Sequence, residues 1–188
     1  MSISNSEPVV ISDDVVYLRR VLKSDLDFYY RWYIDPEIQK FMANPYWDPA
    51  KTKDDYRQVF LHRHFLQTGT GNTLTICTCG DGKPVGLINY FEIDRKLKRC
   101  EIGLLVGERE LWGRGIGTSS VRLACSHIFE SLGLSKIFCL VHPENEASVR
   151  LFQKCGFTFE KEVKEWDTIL HRYVLRRDSV VQGEFGIR

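Results

Sequence analysis

The chain has 188 residues, 43% hydrophobic and 27% charged, which is the make-up of an ordinary soluble globule long enough to bury a substantial core. With 26 basic and 25 acidic residues the net charge is only +1, so bulk charge gives no reason to expect nucleic acid or an acidic membrane as partner. Residues 1–8 are polar and lack a charged-then-apolar leader, and no apolar run approaches the roughly 20 residues of a membrane span, so the expected location is the cytoplasm.

In chain order, residues 15–20 read as a first strand, and Ser24 as the cap of an apolar-periodic helix over 26–33. Asp35-Pro36 opens a short second helix reaching Phe41, because proline suits the first helical position. An aromatic loop follows at 44–49, then a helix over 51–67 and a turn at 68–72. Strands at 74–79 and 84–93 meet at Gly80-Asp81-Gly82-Lys83, a hairpin signal. A charged turn at 94–98 leads to a fourth strand ending near Val106. An amphipathic helix spans 119–132, a fifth strand 136–141, a helix 146–154, and a final hairpin 157–163 with 168–176. The stretch from 178 to 188 has no pattern and is expected to be a tail. No linker divides the chain, so a single domain over 1–188, with its core at about 14–177, is expected.

Six cysteines prompt the question of metal or disulfide, and their spacing favours neither. Cys77 and Cys79 lack the usual gap of two or more residues and have no second pair, while Cys100, Cys125, Cys139 and Cys155 sit in apolar segments as small hydrophobes. No metal is expected. His62 and His64, two apart on a helix, do not share a face and read as solvated surface.

The most informative stretch is Leu111-Trp112-Gly113-Arg114-Gly115-Ile116-Gly117-Thr118, a glycine-rich turn between a strand and a helix. The first amides of a helix lack internal partners and carry partial positive charge, and glycine lets an anion approach them. As a bare pattern the stretch fits a structural turn as well as a phosphate site. It is not a P-loop, since no lysine follows Gly115 or Gly117, nor a dinucleotide fingerprint, since Ser120 stands where the third glycine belongs.

Gly115-x-Gly117 after a strand, followed by Asn145-Glu146-Ala147-Ser148 and Lys154-Cys155-Gly156-Phe157, resembles the GNAT superfamily of acetyl-CoA-dependent N-acetyltransferases. Trp112 before Gly113, together with Leu18-Arg19-Arg20 and Ser24-Asp25, looks most like its RimJ/RimL-type branch. The resemblance runs from about 14 to 177 and is strongest over 99–158. It implies an α/β (α+β) fold: a mixed, mostly antiparallel sheet of about seven strands, splayed between the fourth and fifth, flanked by about four helices. It also implies an acyltransferase that moves acetyl from acetyl-CoA, as co-substrate, to a primary amine in a ternary complex. The acceptor is a small molecule or a protein N-terminus, and the enzyme a monomer or homodimer.

By that resemblance Gly113, Arg114, Gly115, Ile116, Gly117 and Thr118 hold the pyrophosphate, and the backbones of Leu104, Leu105 and Val106 form a rail for pantetheine, their side chains being core. Asn145 contacts the cofactor arm or caps a helix, and the two are compatible. Glu101 lies 14 residues before Gly115, where histone-acetylating members place a base glutamate; the alternative is an edge glutamate paired with Arg99 or Lys98. Glu92 and Tyr90 are further candidates, while Leu140 removes a fifth-strand glutamate. Many members carry a tyrosine acid where this chain has Phe152 along the cofactor. Ser148 is the candidate to hydrogen-bond the sulfur, unless it serves the first helical turn alone. A domain that binds acyl-CoA without efficient turnover is the other reading of Phe152. The aromatic set Tyr29, Tyr30, Trp32, Tyr33, Tyr46 and Trp47 and the acids Asp25, Asp27 and Asp35 fit acceptor recognition, packing or capping alike.

Overall fold

A computed structural model describes residues 9–41, 52–66, 72–165 and 167–181. The expected aromatic loop with Tyr46 and Trp47, the turn at 68–71 and the end of the tail lie outside these residues.

Among the described residues eight strands form one sheet: β1 (Val9–Ser12), β2 (Val16–Arg20), β3 (Asn72–Thr78), β4 (Pro84–Asp94), β5 (Arg99–Val106), β6 (Lys136–Val141), β7 (Thr158–Glu165) and β8 (Thr168–Arg176). Their spatial order is β1-β2-β3-β4-β5-β6-β8-β7. Every pairing is antiparallel except the central β5–β6 pair, which is parallel. The count is eight rather than about seven because β1, four residues long and at the edge, is too short to show a period.

The described residues hold six α-helices rather than about four: α1 (Leu26–Ile34), α2 (Pro36–Gln39), α3 (Lys53–Leu61), α4 (Ile116–Ser131), α5 (Glu146–Lys154) and, after the last strand, α6 (Arg177–Val181). α6 occupies the start of the expected tail. α3 stops short of the predicted end and passes into a π-helical turn, His62–Leu66. Thr52 starts it, accepting from the Asp55 amide while the Asp55 carboxylate reaches back, a capping box.

Alternation along the strands sends side chains to two faces. On one, α4 and α5 bury Val121, Ala124, Cys125, Ile128 and Phe152 against Leu18, Ile76, Ile88, Ile102 and Ile137. On the other, α1 and α3 bring Tyr29, Trp32 and Phe60 together over Leu87 and Leu105.

The loop before α1 corrects an expectation. Ser24 does not cap; it lies in a 3-10 turn, Lys23–Asp25, and the Asp25 carboxylate accepts from the Leu22 amide at 2.9 Å. Asp25 is 1% exposed and takes two hydrogen bonds from the Arg19 guanidinium, both 2.7 Å, and one from Thr75 at 2.8 Å. Such a buried pair tolerates desolvation only when its lone pairs are satisfied, which ties β2, β3 and α1 together. Asp27 pairs with Lys53 at the surface, and Asp35 accepts from the Glu37 amide to start α2. Asp25 and Asp35 are thus committed to the scaffold and Asp27 is held in a surface pair, which leaves acceptor attraction to other carboxylates.

Candidate active site

Strands β5 and β6 run side by side only from Arg99↔Lys136 to Glu101↔Phe138, and then diverge. On its other edge β5 stays paired with β4 as far as Gly86↔Val106. The splay therefore opens at Glu101 and bares one edge of β5. The Gly107 amide donates to Val85 on the β4 side at 2.8 Å, so by alternation the polar groups of Leu105 also face β4 while those of Leu104 and Val106 face the gap. Only the main chains of Leu104 and Val106 are therefore open to the gap, while that of Leu105, expected beside them, is engaged in the sheet. The side chains of Leu104 and Val106 pack on the α4 face and that of Leu105 on the α1 face.

β5 leads through a 3-10 turn, Arg109–Leu111, into Trp112 and the glycine turn, and α4 begins at Ile116 with Gly115 as its cap. The helix starts three residues before the predicted Ser119. Gly115 has φ +85°, a conformation that side chains rarely adopt, and a Cβ there would point into open space. The amides of Gly115, Ile116, Gly117 and Thr118 find no acceptor among the described residues. Unpaired amides around open space at the N-terminus of a 16-residue helix fit an anion such as pyrophosphate. The members of the turn differ in role. Gly113 is open to solvent, Arg114 is exposed and stands outside the cleft wall, and Ile116 is a core residue at 6% exposure. Gly117 is a packing glycine, because a Cβ on it would lie 2.5 Å from Leu151 Cδ1 and 3.2 Å from Leu104 Cδ2.

Across the gap, α5 starts at Asn145, whose Oδ1 accepts from the Ser148 amide at 3.1 Å. Asn145 is thus a cap, and it also lines the cleft together with Ser148, Leu151 and Phe152. Phe152 is 4% exposed and meets Phe157 edge-on, with ring centroids 5.1 Å apart. It offers the cleft an apolar wall and no proton.

Glu101 points to the α1 face at the apex of the splay. It makes no ion pair within 4 Å among the described residues, and Arg99 pairs with Asp94 at 3.8 Å instead, so the surface-pair alternative for Glu101 is not what the structure holds. Burial, then the neighbouring charges of Glu92 and Glu165, push the Glu101 carboxyl up to about 8, against a smaller opposing pull from Arg172. The guanidinium of Arg172 lies 3.8 Å over the Phe138 ring and 3.1 Å from Glu160. Glu92 sits at a break in the β4–β5 register with φ +51°, an uncommon backbone for a side chain. A bulge of this kind turns a residue out of its normal face, here next to Glu101's partner Phe91.

Glu165 and Arg172 were not singled out from sequence. One ends β7 and the other lies inside β8, and only the pairing of β8 with β6 brings that hairpin to the site. His64, expected at the surface, lies inward instead: the π-helical turn directs it edge-on against Phe60 and Tyr29, and burial lowers its pKa to about 4. Tyr90 instead faces α4, with its hydroxyl 3.4 Å from His127 Nε2. A continuous cleft of about 1850 Å³ joins the turn, the gap, Glu101 and the aromatic α1–α3 wall. Among the described residues, no set of three or more potential ligands is gathered for a metal, and no helix is long and apolar enough to cross a membrane.

The family model for an acetyltransferase (GNAT) domain matches residues 16–158. The chain belongs to this family. GNAT members transfer acyl groups from acetyl-CoA, and this protein is an acetyl-CoA-dependent acyltransferase. An uncharacterized N-acetyltransferase, p20 of Bacillus licheniformis, is 27% identical over 158 residues, covering 84% of this GNAT chain and 86% of its own. An aminoglycoside acetyltransferase solved with ribostamycin and coenzyme A superimposes with TM-score 0.77 at 21% identity, over 92% of this chain and 99% of that one. Spermidine N-acetyltransferase of Vibrio cholerae, solved with CoA and spermine, does so with TM-score 0.74 at 19% identity, over 88% and 98%. At those identities both share its fold: a mixed sheet, mostly antiparallel, with one parallel central pair.

Proposed function

We propose that this GNAT enzyme acetylates a primary amine on a polycationic small molecule, with Glu101 as general base. The observation that carries the reading is the carboxylate group at the apex of the splay, where Glu101 is raised to about 8 by burial beside Glu92 and Glu165. A base poised near neutral pH accepts the ammonium proton, directly or through water, and the freed amine attacks the thioester. The two flanking carboxylates hold a cationic acceptor nearby. Asn89, Glu92 and Glu165 on the cleft wall with the base support turnover over the reading of an inert acyl-CoA binder, which an apolar plug would have favoured. The folds that superimpose were solved with spermine and ribostamycin, both polyamines, which supports the acceptor class.

The unpaired amides of Gly115 to Thr118 take the pyrophosphate, and Leu104 and Val106 line the pantetheine arm. When bound, acetyl-CoA supplies the acetyl group and leaves as thiol. Ser148, in the first turn of α5 and on the cleft wall, donates to the sulfur in this reading, and Phe152 shields it from water. The Trp112-Gly113 pattern supports the RimJ/RimL-type branch. Six free thiols suit a reducing cytoplasm.

Thiol release from acetyl-CoA over a panel of polyamines, aminoglycosides, neutral amines and N-terminal peptides tests the reading. We expect kcat/KM for polycations to exceed that for neutral amines by about tenfold or more, falling with salt as expected for charge attraction. Preference for peptides or neutral amines overturns the acceptor class, and no release with any acceptor overturns the enzyme.

A further inference from the structure

Trp112 is half-exposed, yet its indole Nε1 donates to the Val106 carbonyl at 2.8 Å. Burial does not explain that bond, since water would satisfy the indole equally well. The bond bridges six residues, from the end of β5 to the entrance of the glycine turn. Its surroundings explain why such a bridge matters. The stem before it is fixed, with the Gly107 and Glu108 amides both donating to Val85 at 2.8 and 3.3 Å. Past it, Gly113 and Gly115 both adopt positive φ, and among the described residues the amides from Gly113 to Thr118 make a single backbone bond, Arg114 to Leu111 at 3.3 Å, the Trp112 amide being held by Arg109 at 3.1 Å. Glycines held in one conformation lose the most entropy, so a turn this lightly bonded relies on whatever else constrains it.

We propose that Trp112 is a positioning residue for the cofactor: its indole bond fixes the glycine turn against the end of β5, so that the amides of Gly115 to Thr118 face the cleft before acetyl-CoA arrives. This rests on the reading of those amides as the pyrophosphate site. It has a further consequence. The Val106 carbonyl faces the gap and is taken by the indole, so pantetheine is left with Leu104 and the Val106 amide. A protein whose turn is aligned only part of the time binds its ligand more weakly by that fraction, with no change in the chemistry once bound.

Trp112→Phe keeps an aromatic ring and removes the N–H. The KM for acetyl-CoA and the calorimetric Kd for CoA are expected to rise about 5- to 10-fold, the worth of one hydrogen bond. At saturating cofactor, kcat stays within about two-fold, and the melting temperature holds within a few degrees. S-acetylpantetheine, which has no pyrophosphate, separates the causes: the KM penalty should vanish with it. An equal penalty with both donors overturns the proposal, because the indole would then act through the pantetheine arm or the fold. Unchanged CoA affinity in Trp112→Phe overturns it too. Gly115→Val in parallel distinguishes the two readings. If that variant folds and binds CoA normally, the turn is not the pyrophosphate site. If it loses affinity while Trp112→Phe does not, only the role of Trp112 falls.

Discussion

Replacing Glu101 by Gln keeps the shape of the side chain and removes both its charge and its basicity. The structure sets the size of the effect on stability as well as on rate. In the unfolded chain the carboxyl ionises around 4.5, and in the folded protein around 8. A carboxyl with a raised folded-state pKa leaves stability intact below 4.5 and withdraws it progressively as pH climbs to 8, because the unfolded state releases the proton first. At 1.36 kcal/mol for each pH interval between those values, the cost of keeping Glu101 approaches about 4–5 kcal/mol at pH 8, and about half that is expected once its partial contact with water is allowed for. Glu101→Gln should therefore melt at about the same temperature as the parent at pH 4.5 and several degrees higher at pH 8.

Turnover should move the opposite way. Losing a general base costs about 10² or more in kcat, with cofactor affinity unchanged. That gap should be widest near pH 8. Below it the parent's carboxyl is itself protonated, and well above it free amine is available without help. Thermal unfolding by circular dichroism across pH 4.5–9, beside a pH–rate series on the preferred acceptor, measures both arms. A variant that is less stable at pH 8 would mean that the carboxylate is paired and not desolvated. A variant with an unchanged pH–rate profile would move the base role to water or another carboxylate.

Three further outcomes follow from the packing. Asp25→Asn should lower unfolding stability by about 3 kcal/mol or more in denaturant titration, because Arg19 is left buried without its counter-charge. Gly117→Val should lose about 1–3 kcal/mol, since its Cβ would stand 2.5 Å from Leu151, and melting curves should show that loss even without cofactor. Asn145→Ala should cost about 1 kcal/mol through the missing cap on α5, seen as a lower denaturation midpoint.

Much of the scaffold was legible because its signals are local. The Asp35-Pro36 helix start, the Gly80–Lys83 hairpin and the strand–glycine turn–helix sequence each depend on residues a few positions apart; the first two stand where expected, and the third does so with its helix starting three residues earlier. What was not legible depends on distant pairing. Asp25 looked like an acid available to an acceptor until β2 brought Arg19 and β3 brought Thr75 to it. His64 looked solvated because the helix was assumed to continue, and a π-helical turn rotates it inward. Gly117 stood out only as part of the glycine turn, and the second reason for its missing side chain, room for Leu151, needs α5 packed against α4. Glu165 reaches the site only through the order β6-β8-β7, in which the last strand, β8, lies inside β7.

β5 carries both halves of the site, and its register is the condition for all of it. Glu101 begins the splay, Leu104 lines it, and Val106 receives the Trp112 indole at its end. Just beyond, Gly107 lies against the Trp32 ring, which a Cβ would meet at 2.3 Å, and Glu108 accepts from Trp32 Nε1 at 2.9 Å. The aromatic helix α1 and the glycine turn are therefore anchored within a few residues of each other. A slip of one residue in the β4–β5 pairing would send Glu101 into the apolar α4 face and turn Ile102 out towards the α1 face. It would also exchange the edges, pointing Leu105 at the gap and Leu104 at β4. Burying an unpaired carboxylate and exposing an isoleucine are both unfavourable, so the residue we propose as the base also disfavours the misaligned sheet.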